Sequence, residues 1–240
     1  MARVIADDAT AGGDQEFDLA RVPLRELNRY LHHDAVRAGT TRVRVLNPDG
    51  AHSVACGINT ELEVEVDGHV GYYLAGMNKF AHVTVNGNAG PGVAENMMSG
   101  LVRVRGFAST GAGASAHGGC LVIEGDASLR CGISLKGADI VVGGSVGSFS
   151  AFMAQAGRIV ICGDAGDALG DSLYEAVIYV RGDVRSLGAD ARFEPMTDQD
   201  LAAVKELLAT AGFNHAPSDF RRVASAKTLY HWNAEANQEY

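Results

Sequence analysis

The sequence predicts an all-β fold, a right-handed parallel β-helix with about seven regular coils and a helical cap at each end. Three observations predict it. Glycines that follow short aliphatic runs recur every nineteen residues, aliphatic residues stand two and four positions before each glycine, and a small residue opens most of the runs. The recurring glycines, which we call the anchor glycines, are Gly68, Gly87, Gly106, Gly125, Gly144, Gly163 and Gly182.

Two columns of aliphatic residues accompany the anchor glycines. The column two positions before them is Val66, Val85, Val104, Ile123, Val142, Ile161 and Val180. The column four positions before them is Val64, Val83, Val102, Leu121, Ile140, Ile159 and Ile178. Alternating, mostly β-branched residues are typical of strands with one buried face, and a strand this short can bury that face only by stacking on its neighbours. The repeat therefore predicts one coil per nineteen residues, with the strands parallel and about 4.8 Å apart.

The repeat length also indicates the type of solenoid. A left-handed hexapeptide helix requires a six-residue period, and nineteen is not a multiple of six. The calcium-binding nonapeptide solenoid requires GGxGxD, which the sequence lacks. A right-handed parallel β-helix is the interpretation that remains.

We expect three segments. Residues 1–61 form an N-terminal helix and an irregular first coil, residues 62–190 the β-helix repeats, and residues 191–240 a capping helix and tail. Pro23 predicts the start of the N-terminal helix, which runs to about Val36. The alternation in 42–46 predicts a first strand that is out of phase with the repeat, because Asp49 stands where an anchor glycine would be.

The C-terminal cap has clear helix signals. Thr197 is a favourable N-cap residue, acidic residues follow it, and Gly212 is the predicted stop. Residues 215–240 are polar with scattered aromatic residues and no clear period. Such a segment is expected to wrap its own domain or a partner, because isolated aromatic side chains require a pocket.

Composition excludes several classes of function. The net charge of −9 argues against binding to nucleic acid or an anionic membrane surface. The N-terminus is too polar for a signal peptide, and no apolar run is long enough to span a membrane. The four cysteines (Cys56, Cys120, Cys131 and Cys162) have no CxxC spacing, so we expect free thiols in a cytoplasmic protein.

The search for catalytic residues yields one weak candidate. Asp126, Asp164 and Asp183 each follow an anchor glycine, so Asp164 and Asp183 lie on adjacent coils at roughly the 5 Å carboxylate spacing of retaining glycosidases. A carbohydrate-active β-helix is therefore one alternative. The competing interpretation is ordinary turn chemistry, in which aspartate often follows glycine. The adjacent His32 and His33 point to different sides of a helix, and no metal-ligand spacing, nucleophile elbow or phosphate loop is present.

One column suggests an interface. Three positions before each anchor glycine the side chain should point outward, and in the later coils this column is apolar: Val122, Val141, Val160 and Tyr179. Such a stripe must be covered, either by the C-terminal helix or tail or by another subunit. Phe149, Phe152 and Met153, on the loop side of a late coil, are further candidate interface residues.

Aliphatic strands closed by Gly-Asp-Ala-Gly or Val-Gly-Gly-Ser-Val-Gly across residues 62–190 resemble the GXGXG β-helix domain of the glutamate synthase large subunit. The flanks, Phe17-Asp18-Leu19 with Leu24-Arg25-Glu26-Leu27-Asn28 and Asn214-His215-Ala216-Pro217-Ser218-Asp219-Phe220, resemble the stand-alone β-helix subunit of N-methylglutamate synthase. A β-helix subunit of a formyltransferase/hydrolase complex, similar to formylmethanofuran dehydrogenase, is the alternative.

The resemblance implies a structural subunit of a heteromeric enzyme that forms N-methylglutamate and ammonia from methylamine and glutamate. It implies two partners, a class II glutamine amidotransferase-like subunit and an FMN-binding glutamate synthase-like subunit, with an iron–sulfur cluster as a further expectation on a partner. No catalytic residue of the family maps onto this chain. We therefore expect no catalytic, cofactor-binding or metal site on it.

Overall fold

The computed structural model describes residues 13–227, and these form a parallel β-solenoid. Eleven strands make one sheet in the order β1-β2-β3-β4-β5-β6-β7-β8-β9-β11-β10. The strands are β1 (Gln15–Asp18), β2 (Arg42–Leu46), β3 (Glu63–Asp67), β4 (His82–Val85), β5 (Leu101–Val104), β6 (Cys120–Ile123), β7 (Lys136–Val142), β8 (Ala156–Ile161), β9 (Val177–Val180), β10 (Ala191–Glu194) and β11 (Arg221–Ser225). The predicted all-β parallel β-helix with about seven coils is confirmed, while its right-handed sense stays a prediction.

The register follows the sequence repeat. From β3 to β9 each strand is parallel to the next, and paired residues are nineteen positions apart, as in Val64 with Val83. The exception is Lys136 with Ala156, twenty positions apart, because β7 has a bulge between Lys136 and Asp139. The strand β2 belongs to the predicted irregular first coil. This coil is two residues longer than the repeat, because Val43 pairs with Val64, twenty-one positions later. Both predicted aliphatic columns point into the coil and are buried along the rod. Stacking of like residues thus fixes the register, since a slip of one residue would turn the whole column to solvent.

Three further inward columns complete the core. The first, two positions after the anchor glycines, pairs from coil to coil through single bridges: Val70, Ala89, Ala108, Ala127, Val146, Ala165 and Val184. The second is the buried set Leu74, Val93, Ala112, Cys131, Ser150 and Leu169. The third is the buried set Asn78, Met97, Ala116, Leu135, Ala154 and Leu173. Their mixed composition carries no strand signal, which is why the sequence did not indicate them.

Helices lie at both ends of the chain. The N-terminal helix consists of α1 (Leu24–Arg29), a π-helical turn (Tyr30–Asp34) and α2 (Ala35–Ala38), and Pro23 occupies the position before its first residue. The C-terminal helix α3 (Asp198–Ala211) begins and ends as predicted. Thr197 and Asp200 form a reciprocal capping box, and Gly212 takes the left-handed conformation at φ 78°.

The C-terminal end of the rod is closed by a reversal of strand direction. Strand β11 lies antiparallel between β9 and β10, so a parallel coil cannot be added there. This strand falls in the region for which the sequence showed no period, and a short 3₁₀ turn (Pro217–Asp219) precedes it. The predicted role of the remaining aromatic residues, Tyr230, Trp232 and Tyr240, lies outside the described residues.

Candidate functional surfaces

The aspartates that follow the anchor glycines act as backbone acceptors. Asp126 Oδ1 accepts a hydrogen bond from the backbone N–H of Ser145 at 2.8 Å, and Asp164 Oδ1 accepts one from Asp183 at 2.8 Å. The same position is used on other coils by Asn88, which accepts from Phe107, and by Ser145, which accepts from Asp164. These side chains form a ladder along the rod. Asp126 and Asp164 therefore have a structural role, which weakens the carbohydrate-active interpretation.

The ladder explains the anchor glycines. A Cβ on Gly144 would stand 2.1 Å from Asp126 Oδ1, and one on Gly182 would stand 2.2 Å from Asp164 Oδ1. Gly87, Gly125 and Gly163 would likewise collide with the backbone of the preceding coil. Close approach of successive coils is thus what requires glycine here. A positive φ is needed at Gly68 alone among the seven.

The apolar outer stripe is not open to another subunit. Val122, Val141, Val160 and Tyr179 are buried against the chain's own helix α3, which contributes Val204, Leu207, Leu208 and Ala211, with Phe220 completing the cluster. The docking-face interpretation of these four residues is therefore wrong, and the alternative cover, the C-terminal helix, is correct. The physical reason is that α3 carries an apolar stripe of its own that needs a partner surface.

Polar contacts hold α3 on this face. Arg103 donates to the last carbonyls of the helix, with Nη1 2.9 Å from Ala211 O and Nη2 3.1 Å from Thr210 O. A cation at this end complements the helix dipole. At the other end Tyr179 donates from its hydroxyl to Asp200 Oδ1 at 2.7 Å, where the Arg222 guanidinium also lies 3.3 Å away.

The two members of the Tyr179–Asp200 pair have opposite pKa shifts. Burial and the hydrogen bond to Asp200 raise the pKa of the Tyr179 hydroxyl, so this group stays a donor. Burial favours the neutral acid at Asp200, but hydrogen bonds from Thr197 and Tyr179 outweigh it and lower the pKa of the carboxyl. The pair therefore ties α3 to β9 with a charged acceptor and a neutral donor.

The cysteines and histidines have structural environments. All four thiols are free, as predicted. Burial raises the pKa of Cys131 to about 12 and that of Cys162 to about 11, which makes both poor nucleophiles. His32 Nε2 lies 2.6 Å from the backbone oxygen of Cys56. Within residues 13–227 no three His, Cys, Asp or Glu side chains come together in a group that could hold a metal ion.

A groove runs along the part of the strand face that α3 leaves uncovered. It has a volume of about 630 Å³, and Asp14, Arg42, Glu63 and His82 line it. Arg42 and Glu63 form an ion pair at 2.9 Å, and Arg44 pairs with Asp67 at 2.7 Å. Glu61 also lines the groove, whereas Arg44 and Asp67 lie outside its lining, so carboxylates outnumber the single arginine there.

Two exposed apolar patches stand on the loop side of the coils. The first, the coil-1 patch, consists of Tyr72, Tyr73, Met77 and Phe80, each about half exposed. The second, the coil-5 patch, consists of Phe149, Phe152 and Met153, with Phe149 and Met153 at 44% and 50% exposure. The coil-5 residues were candidate interface residues from the sequence. The coil-1 patch was missed, although Tyr73 and Met77 occupy the same repeat positions as Phe149 and Met153.

Both patches hold large side chains on left-handed backbone. Tyr73 has φ 61° and Phe149 φ 58°, at a repeat position that glycine occupies at Gly92 and Gly111. Met77 and Met153, four residues later, have φ 57° and 54°. Bulky residues are rare in this conformation, which costs about 1 kcal/mol or more. The same positions are left-handed on the other coils too, as at Arg130 (φ 59°) and Ser134 (φ 53°), so the conformation belongs to the turn and the patches differ in side-chain size.

Together the fold and these surfaces define a parallel β-solenoid with two exposed apolar patches among its described residues. No family model matches the sequence. The chain is 53% identical over 225 residues to protein GlxC from Rhizobium meliloti (strain 1021), a match that covers 93% of this chain and 99% of the relative. The chain therefore belongs to the GlxC family.

No helix within the described residues has the length and apolar character needed to cross a membrane.

Proposed function

We propose that the protein is a structural subunit of a glutamate synthase-like heteromeric enzyme, and specifically of N-methylglutamate synthase. The observation that carries this proposal is the row of anchor glycines along the rod. Six of the seven anchor glycines allow successive coils to approach more closely than a Cβ permits, over the segment whose motifs resemble the GXGXG domain. In that family the β-helix packs between subunits that hold the active sites.

The exposed patches support a role in assembly. A rod with a stacked core is rigid, and it presents the coil-1 patch on its loop side, away from the face that α3 covers. Tyr72 stacks on His52 with ring centroids 4.5 Å apart, and Lys79 lies over the Phe80 ring. A preorganised group of aromatic residues is typical of the centre of a protein interface. We assign this patch to contact with the FMN-binding subunit.

Purification of the native complex tests the proposal. We expect the chain to copurify with an amidotransferase-like subunit and a yellow, FMN-containing subunit. The complex should form N-methylglutamate and ammonia from methylamine and glutamate. A colourless monomer without partners would refute the proposal. A complex that transfers formyl groups would instead support the alternative, a subunit of a formyltransferase/hydrolase complex.

Paired variants test the coil-1 patch within that complex. Tyr73→Gly with Met77→Asn removes two large side chains but keeps residue types that the same repeat positions accept at Gly92 and Asn96. We expect loss of the flavin subunit from the purified complex. The control is Phe107→Ser, which removes a side chain that is 52% exposed and follows an anchor glycine on a different side of the coil. Equal retention of flavin by both variants would refute the assignment.

A further inference from the structure

Two histidines near the N-terminal end of the rod accept backbone N–H groups from the next coil. His52 Nδ1 accepts a hydrogen bond from the N–H of Tyr72 at 3.0 Å, and His69 Nδ1 accepts one from the N–H of Asn88 at 3.0 Å. The His52 ring also stacks on the Tyr72 ring, with the two planes at 6°. A Cβ on Gly71 would stand 2.0 Å from His52 Nδ1, so this glycine leaves room for the imidazole. Both rings therefore lie at contacts between coils.

These two contacts require neutral imidazoles. A backbone N–H can only donate, so Nδ1 of each histidine must carry a lone pair, and the ring proton lies on Nε2. In the imidazolium form both ring nitrogens carry protons, and Nδ1–H would face the backbone N–H. Histidine is the side chain that ordinarily changes its charge between pH 5 and 8. Protonation would therefore break both hydrogen bonds between coils.

Later coils make the same contact with acceptors of a different chemistry. In the repeat position of His69, Asn88 Oδ1 accepts from the N–H of Phe107 at 3.1 Å, and Ser145 Oγ accepts from that of Asp164 at 2.9 Å. An amide oxygen and a hydroxyl oxygen remain acceptors between pH 5 and 8. In this repeat position histidine occurs only at residue 69, beside the coil-1 patch.

The titratable side chains that face the two rings within the described part of the chain are few. Tyr72 is stacked on His52, and Asp49 and Asp67 line the groove beside His69. On the side away from coil 1, Asn28 of α1 holds the turn that contains His52, because its amide donates to Ser53 O at 2.9 Å. This amide does not titrate. Loss of the imidazole contacts would therefore loosen coil 1 and leave the N-terminal helix in place.

We propose that His52 and His69 form a pH-sensitive switch, which fastens coil 1 to its neighbours when the imidazoles are neutral and loosens it when they are protonated. Tyr72 belongs to the coil-1 patch, so the same protonation changes the order of that surface. The switch does not depend on the proposed enzyme or on its partner subunits. The two proposals can therefore fail separately.

Amide hydrogen exchange of the full chain, followed by NMR at about pH 8 and about pH 5, tests the switch. Protection factors are compared because they remove the intrinsic dependence of exchange on pH. We expect the protection factors of the Tyr72 and Asn88 amides to fall about fivefold to tenfold at the lower pH, as the loss of one hydrogen bond implies. The internal control is the Phe107 amide, which donates to Asn88 Oδ1 and should keep its protection.

The variant His69→Asn separates the two histidines, because it copies the acceptor that Asn88 provides one coil later. In this variant the Asn88 amide should stay protected at both pH values, while the Tyr72 amide should still lose protection at the lower one. Equal protection of both amides at the two pH values in the wild-type protein would overturn the proposal. So would an equal loss of protection at Phe107, or a loss at Asn88 that persists in His69→Asn, since neither would come from the imidazoles.

Discussion

Four anchor glycines, Gly106, Gly144, Gly163 and Gly182, leave room for the side chain that precedes each of them by eighteen residues. At Gly144 the space for a Cβ is filled by Asp126 Oδ1, which accepts the N–H of Ser145. The aspartate and the glycine are therefore one structural unit spread over two coils. The unit satisfies a backbone donor that the turn would otherwise leave unpaired.

This coupling predicts that Gly144→Ala destabilises the protein by about 1–3 kcal/mol, because the added methyl group must displace the Asp126 carboxylate or separate the coils. The midpoint of urea unfolding measures the loss. The control is Gly76→Ala, whose Cβ would meet its nearest neighbour at 3.4 Å on backbone without a positive φ. Adding Asp126→Gly should restore part of the stability of Gly144→Ala. Equal midpoints for the two alanine variants would contradict the argument.

The Asp200 carboxyl gives stability a dependence on pH. Its pKa is lower in the folded protein than in the unfolded chain, so its contribution is complete above the ordinary value of 3.8 and is lost as the pH falls through the folded value. Asp200→Asn should therefore lower stability at pH 7 and flatten the decline in stability below about pH 4. Thermal unfolding between pH 2.5 and 7 measures both effects. An unchanged acid slope would show that the carboxyl is not responsible.

The positions of most strands and of α3 could be predicted from the sequence, but the segments that pack against them could not. The strands from β3 to β9 carry β-branched columns, and α3 carries a cap and a stop, so all were predictable. The inward positions at Ala112 and Ser150 use small residues without a strand pattern and were not. Strands β1, β10 and β11 pair with segments fixed only by the three-dimensional fold, and β11 pairs with β9 across forty-one or more positions.

The site shows the same limit. The outward apolar stripe of Val122, Val141 and Val160 was visible in the sequence. The sequence did not show what buries this stripe, because the apolar face of α3 and a partner subunit would bury it equally well. The coil-1 patch could not be predicted from the sequence for another reason. Nothing in the sequence marks Tyr73 as left-handed until the turns between coils are known.

Burial beneath α3 predicts a large difference between two positions of the same column. Val141→Gln places an amide in a fully buried apolar contact and should cost about 2–4 kcal/mol. Thr84→Gln, on a coil that α3 does not reach, should change stability by less than about 0.5 kcal/mol. Chemical unfolding and proteolysis at the α3 boundary measure the effects. Rapid cleavage near Thr197 in both variants would contradict the assigned role of α3.

At the scale of the whole molecule the protein is a stack in which each coil contacts mainly its neighbours. The nineteen-residue stack ends at two places, where β2 enters with a twenty-one-residue coil and where β11 reverses direction. Between them lies one bulge, at Lys136–Asp139 of β7. In this part of the rod the coils have the same length and place their inward columns at the same positions, although their residues differ. A complete coil should therefore be removable, while a partial one should not.

Deletion of residues 88–106 tests this directly. It removes nineteen residues, joins Gly87 to Phe107 and leaves every inward column continuous, so we expect a folded β-solenoid with somewhat reduced stability. Deletion of residues 88–107 removes one residue more, keeps Gly87 as the anchor glycine, joins it to Ala108 and leaves a coil of eighteen. That coil has no spare residue to form a bulge, so its strand must slip and turn its aliphatic side chains outward. Circular dichroism and cooperative thermal unfolding should separate the two variants, because only the register differs between chains of nearly equal length. Two equally folded products would mean that side-chain stacking does not set the coil length, and two unfolded ones that the lost contact between Arg103 and the end of α3 is indispensable.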